Sequence, residues 1–191
     1  MCGIFGYVGP RTNAAELVFE GLKTLEYRGY DSWGVAVVPN KTVKKIIVKK
    51  KAGKIGNANV AYMPKSSLAL GHTRWATHGG VTDINAHPHL DCTGTIAVVH
   101  NGIFENYDVV KKHLTGRGHR FVSQTDTEVI AHLIEEYIKR IPFPQAVRRV
   151  FNEMEGLSAF IAIRAGERFL VAVRNGSPLV VGYGTGENFL A

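Results

Sequence analysis

The chain begins Met1-Cys2-Gly3-Ile4-Phe5-Gly6-Tyr7-Val8, which places a cysteine just before a predicted first strand, Ile4 to Val8. Removal of Met1 would leave Cys2 with both a thiol and a free α-amine. The thiol has a pKa of about 8.5 and the amine one of about 7.7–8.0, so near neutral pH the amine can accept the thiol proton. One residue would then supply nucleophile and base, the chemistry of an N-terminal nucleophile. The alternative is that Cys2 is a small buried residue at the start of a strand.

Length and composition indicate one globular domain with its own core, or one large two-layer domain. The chain has 191 residues, of which 45% are hydrophobic and 20% charged. Cys2 and Cys92 have no metal-type spacing, and one possible bridge does not make a disulfide framework. With no secretory leader pattern and no apolar run of about 20 residues, the sequence predicts a soluble, cytoplasmic protein.

The net charge of +7 is concentrated in one segment, Lys44 to Lys51 with Lys54. These lysines flank a short β-branched run, which is typical of an exposed edge strand protected against edge-to-edge pairing. Aromatic residues are not interleaved with them, as a base-stacking surface would require. We therefore expect no nucleic-acid partner and no membrane partner.

The apolar patterning predicts short strands, then helices, then strands. This order favours a layered sheet structure with helices outside over a regular parallel βαβ array. The residues 53–65 are expected to form a loop, as is the long stretch from Thr73 to Thr95, which is rich in Gly, Thr, His and Pro. The chain stops at Leu190-Ala191 in an apparent strand, which indicates a fragment of a longer polypeptide. Predicted strands are Ile4–Val8, Val35–Val38 and Val43–Val48 as a hairpin around Pro39-Asn40, Leu68–Gly71, Ile96–Val99, Leu157–Ile163, Phe169–Val173 and Leu179–Val181; predicted helices run from the capping box at Asn13 to about Tyr27, from the capping box Thr125-Asp126-Thr127-Glu128, and from Pro144.

Six segments, in order, resemble the class II glutamine amidotransferase domain. The resemblance covers essentially the whole chain and is strongest to the branch of the family that transfers ammonia to fructose 6-phosphate. The segments are Cys2-Gly3-Ile4, Leu25-Glu26-Tyr27-Arg28-Gly29-Tyr30-Asp31-Ser32, Gly71-His72-Thr73-Arg74-Trp75-Ala76-Thr77-His78-Gly79, Asn85-Ala86-His87-Pro88-His89, His100-Asn101-Gly102-Ile103 and Thr125-Asp126-Thr127-Glu128.

The resemblance implies an α+β fold, a four-layer αββα sandwich of two antiparallel sheets, the N-terminal nucleophile hydrolase fold. It implies that residues 1–191 form a glutaminase domain truncated at its C-terminus, without the family's sugar-isomerase domains. The implied reaction is hydrolysis of L-glutamine to glutamate and ammonia through a Cys2 thioester, with no cofactor. In the full-length enzyme the ammonia would convert fructose 6-phosphate to glucosamine 6-phosphate, and the enzyme is expected to be a homodimer.

The resemblance also implies the chemical roles. Cys2 would attack the side-chain amide of glutamine, while the Asn101 side chain and the Gly102 backbone N–H would hold the oxyanion. Read alone, Asn101-Gly102 is an ordinary turn dipeptide. Directly after the strand from Ile96 to His100, and with a helix following, the pair becomes a candidate oxyanion hole.

Arg74 and Thr77 resemble the family's ligands for the substrate α-carboxylate, for which a guanidinium offers a bidentate fork. The alternative for Arg74 is a surface ion pair. Asp126 resembles the residue that receives the α-ammonium, although an acid in the first turn of a helix is stabilised by the helix dipole in any case. Both readings of Asp126 can hold together.

Five further residues surround this predicted site. Trp75 and His78 lie in the loop that, in the family, closes over bound glutamine. His87 is expected to be part of the substrate-binding site as a support of that loop, and Arg28 and Asp31 to form a wall near Cys2. Arg28 is expected to stabilise the site.

The histidines of this region raise the alternative of a metal site, since imidazole is a common ligand. No acid or cysteine recurs with them at a zinc-motif spacing, and the family needs no metal for this reaction. We therefore expect no metal. The histidines are His72, His78, His87, His89 and His100.

Trp33 departs from the family pattern, which has a small residue at this position. Its ring must alter the packing near the active-site floor or a contact with a neighbouring domain. Replacement by alanine is expected to leave glutamine hydrolysis within a few-fold of the parent.

Three alternatives to the leading function stay open. The chain could serve another class II enzyme, one that acts on phosphoribosyl pyrophosphate or forms asparagine. It could be a glutamine-binding module without turnover if Met1 is retained. It could also hydrolyse other amides, although this leaves no reason for Arg74, Thr77 and Asp126.

Overall fold

The computed structural model describes residues 2–39 and 45–191. In these ranges the chain forms four α-helices and ten β-strands, with a short 3-10 helix at Glu26–Arg28. The helices are α1 (Ala14–Leu25), α2 (Tyr107–Gly116), α3 (Thr127–Ile138) and α4 (Phe143–Glu153). The strands are β1 (Gly3–Val8), β2 (Ser32–Val37), β3 (Ile47–Ala52), β4 (Leu68–Arg74), β5 (His89–Leu90), β6 (Ile96–Gly102), β7 (Ser158–Arg164), β8 (Leu170–Asn175), β9 (Val181–Tyr183) and β10 (Asn188–Leu190). No helix in this described part is long and apolar enough to cross a membrane.

The strands form two sheets. One has six strands in the order β3-β2-β4-β1-β10-β9, and the other has four in the order β5-β6-β7-β8. Every hydrogen-bonded pair of strands is antiparallel. The first residues of β1 and the last residues of β4 and β6 are therefore brought to one end of the two sheets.

Three apolar cores separate four layers. Helix α1 packs on the outer face of the six-stranded sheet through residues such as Val18 and Leu22. Helices α2, α3 and α4 cover the outer face of the four-stranded sheet, with Ile130 and Val147 in that core. The inner faces of the sheets meet through Leu70 and Ile161, among others. The structure thus confirms the predicted α+β, four-layer αββα sandwich of two antiparallel sheets.

Two helix termini differ from the prediction. Helix α1 ends at Leu25, because residues 26–28 tighten into the 3-10 helix. Helix α3 is capped by Asp126 and not by Thr125, since Asp126 Oδ1 accepts a hydrogen bond from the Thr127 N–H at 3.0 Å. Glu128 accepts instead from the backbone N–H groups of Val122 and Ser123, at 2.8 and 2.6 Å, and closes the turn before the helix.

Several elements could not be bounded from the sequence. Helix α2 has a single buried residue, Leu114, and so lacks the apolar periodicity of a core helix. Strand β5 is two residues long and lies inside the predicted loop Thr73–Thr95.

The predicted edge position of the lysine-rich strand is confirmed among the described strands, because β3 ends the six-stranded sheet. The hairpin turn predicted at Pro39-Asn40 includes Asn40, which lies outside the described residues, as does the start of the strand predicted from Val43.

Trp33 lies in the core beneath α1. Its side chain is 1% exposed, and its ring centroid is 5.2 Å from that of Phe19 in α1. Contrary to the expectation, the ring therefore packs away from the inner faces of the two sheets and contributes to the α1 layer.

The Trp33 ring fills the space between β2 and α1. Trp33→Ala should lower the free energy of unfolding by about 3–5 kcal/mol, because it leaves a cavity between β2 and α1. Urea unfolding of the two proteins measures the loss. Trp33→Phe keeps the contact with Phe19 and should lose less than half as much; an equal loss would show that ring packing is not the cause.

Candidate active site

Cys2 lies half-buried just before β1, with its side chain against the backbone of Trp75. The Trp75 N–H donates to Cys2 Sγ at 3.2 Å, and Sγ lies 3.5 Å from the Trp75 carbonyl oxygen. Burial raises the pKa of the Cys2 thiol, while the Trp75 N–H and the positive charge of Arg74 act to lower it. A thiol in this setting needs a base close by to become a nucleophile.

The Cys2 carbonyl is held by two side chains. Arg28 Nε and Asn101 Nδ2 each donate to it at 3.2 Å. Arg28 reaches it from the 3-10 helix after α1, and Asn101 from the end of β6. The structure therefore brings three of the predicted site residues into direct contact.

His72 fixes the direction in which the Asn101 amide points. Its Nε2 lies 3.0 Å from Asn101 Oδ1 and 3.0 Å from the His100 carbonyl, so this nitrogen carries the proton and donates. Burial lowers the pKa of His72 to about 3, so the ring is neutral near pH 7. With Oδ1 accepting from His72, the Asn101 NH₂ group must face Cys2.

Only glycine fits at position 102. Its φ is +129°, and a Cβ built on it would lie 2.3 Å from the Leu157 carbonyl oxygen and 2.7 Å from Ser158 Cα. Both atoms belong to the backbone leading into β7, so they cannot move aside. The turn from Asn101 into Gly102 is thereby locked next to Cys2.

Arg74 organises the loop that follows β4. Its guanidinium donates to the carbonyl oxygens of His78, Gly79 and Gly80, the latter two at 3.2 Å, and it is 4% exposed. Burial lowers the pKa of Arg74, and charge interactions with Cys2, Asp126 and Asp31 oppose that shift. Arg74 is therefore a buried cation that curls residues 75–80 over the end of β4, and not a surface ion pair.

A second set of contacts ties the same loop to the segment before α3. Asn85 Nδ2 donates to the Gly80 carbonyl at 3.1 Å and to Gln124 Oε1 at 3.0 Å, and the Gln124 N–H returns a bond to Asn85 Oδ1 at 3.0 Å. At the other end, the Ala76 N–H donates to Asp31 Oδ2 at 2.8 Å. The loop is thus clamped from both sides.

Lys50 holds the far part of this loop. Its Nζ donates to the carbonyl oxygens of Ile84, Ala86 and Pro88 at 2.9, 2.8 and 3.3 Å. Burial lowers the pKa of Lys50 to about 8. The sequence predicted an exposed lysine of an edge strand at this position, whereas Lys50 is a positioning residue for the loop.

Asp126 lies buried behind the Asn101-Gly102 turn. Its Oδ2 accepts from the Phe104 N–H at 2.9 Å, while Oδ1 caps α3. His100 Nδ1 is 4.0 Å from the same Oδ2. Asp126 therefore caps α3, and its role in binding the substrate ammonium stays a prediction.

The remaining predicted residues separate into two groups. Trp75 and Thr77 are exposed on the loop, Trp75 with its ring 5.6 Å from that of Tyr30. His78 is half-buried beside Tyr107. His87 is 5% exposed and contacts His72 instead of the open side of the loop, with 3.2 Å between His87 Nδ1 and His72 Nε2. His87 thus lies where it supports His72 and Asn101.

Four buried histidines lie together behind the site. Burial lowers the pKa of each of them: His72, His87, His89 and His100. Lys50 and Arg74 add to the shift at His89, whereas Glu128 opposes it, and Asp126 opposes the shift at His100. All four rings are therefore neutral in the folded protein near pH 7.

This cluster predicts acid lability. Below pH 6.5 the unfolded chain binds protons that the folded chain does not, so the stability present above pH 6.5 is lost as the pH falls. Between pH 6.5 and 5.5 each ring contributes a loss of roughly 1 kcal/mol, and up to roughly 4 kcal/mol together. Urea unfolding at these two pH values measures the loss. His113→Gln, which alters an exposed histidine, should show the same loss as the parent; equal stability at both pH values would contradict the prediction.

Comparison with known proteins identifies the family. The sequence model of the family described as "Glutamine amidotransferase domain" matches residues 72–191. The chain is 50% identical over 197 residues to a Streptomyces coelicolor protein named glutamine–fructose-6-phosphate aminotransferase [isomerizing], covering 100% of this chain and 31% of that protein. It is also 50% identical over 198 residues to a protein of the same name from Pyrococcus horikoshii, covering 100% of this chain and 32% of that protein. The chain thus spans about a third of the length of these relatives.

Solved structures give the same fold. The structure of glutamine phosphoribosylpyrophosphate amidotransferase from B. subtilis, in complex with ADP and GMP, has a TM-score of 0.82 and 25% identity, covering 100% of this chain and 41% of that one. A structure described as the allosteric regulatory enzyme of purine biosynthesis has a TM-score of 0.83, also at 25% identity, with the same coverage. Both the fold and the sequence model therefore agree with the resemblance read from the six motifs, and the chain belongs to the glutamine amidotransferase domain family.

Proposed function

We propose that this chain hydrolyses L-glutamine to glutamate and ammonia through a thioester on Cys2. The observation that supports it most strongly is the contact set around Cys2, in which Asn101 is turned towards the cysteine by His72. We further propose that residues 1–191 are a glutaminase domain within a longer protein, in which the ammonia converts fructose 6-phosphate to glucosamine 6-phosphate. The latter proposal is supported by the names of the 50% identical relatives.

The first step needs the α-amine of Cys2, which is free only after Met1 is removed. The neutral amine accepts the thiol proton, and the thiolate attacks the side-chain carbonyl carbon of glutamine. The amine is the suitable base because it belongs to the same residue as the thiol, whereas His72 directs its Nε2 at Asn101 and the His100 carbonyl and not at Cys2. Because burial raises the pKa of the thiol, an attached base is essential.

The second step develops a negative charge on the amide oxygen. One N–H of Asn101 Nδ2 bonds the Cys2 carbonyl, and the other can be offered to the oxyanion together with the Gly102 N–H. Collapse of the tetrahedral intermediate breaks the carbon–nitrogen bond, and ammonia leaves with the proton held by the α-amine. Water then cleaves the thioester, giving glutamate and restoring the thiol.

The charged ends of glutamine are assigned by complementarity. The α-carboxylate is placed against the loop that Arg74 organises, with Thr77 exposed on it, and the α-ammonium against Asp126. Trp75 and His78 on the same loop would then cover the substrate and exclude water. These roles rest on the family resemblance together with the positions of the loop and of Asp126.

Arg74→Lys tests the role of the guanidinium. Arg74 reaches the three carbonyl oxygens from two nitrogens at the ends of a planar fork, whereas lysine has one nitrogen on a differently shaped side chain. The loop should therefore loosen at a cost of about 1.5–3 kcal/mol. We expect the KM for glutamine to rise about 10- to 100-fold, with kcat falling less. Steady-state release of glutamate measures both, and the exposed Arg148→Lys is the matched control. An unchanged KM would show that Arg74 does not shape the glutamine site.

The substrate itself is tested by comparing amides. L-glutamine should be turned over, whereas analogues lacking either the α-carboxylate or the α-ammonium should lose most of their kcat/KM. Equal turnover of the three would favour a general amide hydrolase. Intact mass shows whether Met1 is still attached. A protein that keeps Met1 and still turns over glutamine would contradict the α-amine of Cys2 as the base.

The acceptor is tested on the full-length protein. Fructose 6-phosphate with glutamine should give glucosamine 6-phosphate, while phosphoribosyl pyrophosphate and aspartate should give no aminated product. Amination of phosphoribosyl pyrophosphate would assign the chain to the other class II branch.

We also propose that the full-length protein is a cytoplasmic homodimer. Light scattering tests the oligomeric state, and cell fractionation tests the location.

A further inference from the structure

A second cluster of reactive side chains lies away from Cys2, on the helix side of the four-stranded sheet. Four ligand atoms, one each from Cys92, His119, His132 and Glu135, lie within 4.8 Å of one another. Cys92 is in the turn between β5 and β6, His119 follows α2, and His132 and Glu135 are on α3. None of them contributes to the chemistry derived above. We propose that this cluster is a structural zinc site.

The distances between the ligand atoms fit one tetrahedral ion. His119 Nδ1 lies 3.2 Å from His132 Nδ1 and 3.2 Å from Glu135 Oε2, and His132 Nδ1 lies 3.4 Å from that oxygen. Cys92 Sγ lies 3.7 and 3.3 Å from the two Nδ1 atoms. Tetrahedral zinc, with bonds of about 2.0–2.3 Å, separates its ligand atoms by roughly 3.3–3.7 Å.

The outer nitrogens of both imidazoles are already directed at carboxylates. His119 Nε2 is 3.3 Å from Glu136 Oε2, and His132 Nε2 is 3.5 Å from Glu128 Oε1. A carboxylate accepts but does not donate, so protons on the two Nε2 atoms satisfy Glu136 and Glu128. This tautomer leaves the lone pair of each Nδ1 free for a cation that also binds Glu135 Oε2. This carboxylate–histidine pairing is the usual outer shell of a zinc-bound imidazole.

With both Nε2 atoms protonated, the four inner atoms turn electron pairs towards one another, and the Cys92 N–H, 3.1 Å from Glu135 Oε2, is the donor among them. Two imidazole lone pairs, a carboxylate oxygen and a sulfur converge on one point, and His119 and His132 are 6% and 1% exposed. A divalent ion bound by one thiolate, one carboxylate and two neutral imidazoles leaves no net charge in this buried place. One soft thiolate with two imidazoles in a tetrahedral arrangement favours zinc among the common metals.

The site would fasten three segments to one another. It links the β5–β6 turn and the segment after α2 to the body of α3, whose N-cap is Asp126. With four protein ligands the coordination is closed, so the role is structural and not catalytic. Exposed Cys92 gives the ion a route of entry.

The experiment measures metal in the full chain purified without a histidine tag. We expect about one zinc per chain by elemental mass spectrometry, and cobalt exchange should give visible d–d bands with a thiolate-to-cobalt charge-transfer band. Cys92→Ser should abolish the charge-transfer band and the stoichiometric zinc. Glu136→Gln, which alters an outer partner, should weaken zinc binding about 10- to 100-fold.

Two controls keep the test decisive. His113→Gln, an exposed histidine on α2, and Cys2→Ser, the other cysteine, should both retain zinc and the cobalt spectrum. Parent protein that holds less than about 0.1 zinc per chain after incubation with excess zinc and gel filtration would overturn the proposal. So would a Cys92→Ser variant with unchanged zinc content. The zinc measurements on the parent do not depend on any variant folding, nor on glutamine turnover.

Discussion

Cys2→Ala should reduce glutamate release from glutamine by at least about 10⁴-fold, because removing a covalent nucleophile removes the reaction path that the rest of the site serves. The thiol lies at the centre of the contacts described above, between the Trp75 backbone and the carbonyl held by Arg28 and Asn101. The measurement is coupled detection of glutamate at saturating glutamine. Circular dichroism and thermal unfolding should match the parent, because the side chain is small and half-buried.

Glutamine binding gives the control for this variant. Calorimetry should show that Cys2→Ala still binds glutamine with an affinity close to the parent KM, since Arg74, Thr77 and Asp126 are untouched. Loss of binding together with turnover would point to misfolding around β1. Removing a nucleophile typically lowers turnover far more than 10-fold. Turnover of Cys2→Ala within 10-fold of the parent would therefore show that Cys2 is not the nucleophile.

Asn101→Ala should lower kcat for glutamine hydrolysis by about 10²–10³, with a smaller change in KM. The reason is that Asn101 Nδ2, which donates one N–H to the Cys2 carbonyl, is proposed to offer its other N–H to the oxyanion, whose negative charge appears only in the transition state. Steady-state kinetics separates the two parameters. Asn101→Asp should be at least as severe, because a carboxylate offers no donor there and repels the oxyanion.

Asn106→Ala is the matched control for Asn101. Asn106 is the same residue type a short distance along the chain, and its amide bonds the Glu153 carbonyl and the Glu155 N–H, away from Cys2. We expect its kcat to stay within a few-fold of the parent even if stability falls. Equal losses in the two variants would show that the effect of Asn101 is general destabilisation.

The fold was predictable from the sequence in its layers but not in all its elements. Continuous apolar runs such as Ile96–Val99 predict buried strands, so the central strands were predicted correctly. Helix α2 was not bounded, because one buried residue leaves no periodic stripe. The cap of α3 was displaced by one residue, since both Thr125 and Asp126 are good caps and only geometry decides between them.

The site was predictable where a residue type is chemically unusual. A cysteine before the first strand and an Asn-Gly pair after a buried strand are local signals. His72 and Lys50 were not assigned their positioning roles, because each acts through contacts with residues far along the chain: His72 with Asn101, and Lys50 with the carbonyls of 84–88. The motif around His87 predicted a substrate-site residue and did not indicate that the His87 ring faces His72.

The proposed zinc ligands illustrate the same limit. His132 and Glu135 are three residues apart on one helix, but Cys92 and His119 come from other segments. Sequence spacing reveals metal sites only where the ligands lie in short motifs. Here the two sheets and the α2–α3 connection must form before the four atoms meet, so the sequence predicted no metal.

The central claim is that Cys2 becomes an N-terminal nucleophile that recognises glutamine. Intact mass spectrometry before and after treatment with an electrophilic glutamine analogue tests it most directly. The account predicts a chain lacking the mass of Met1 that gains a single adduct, mapped to Cys2 and prevented by excess glutamine. A chain that lacks Met1 yet gains no adduct, or carries it on Cys92, would contradict the account.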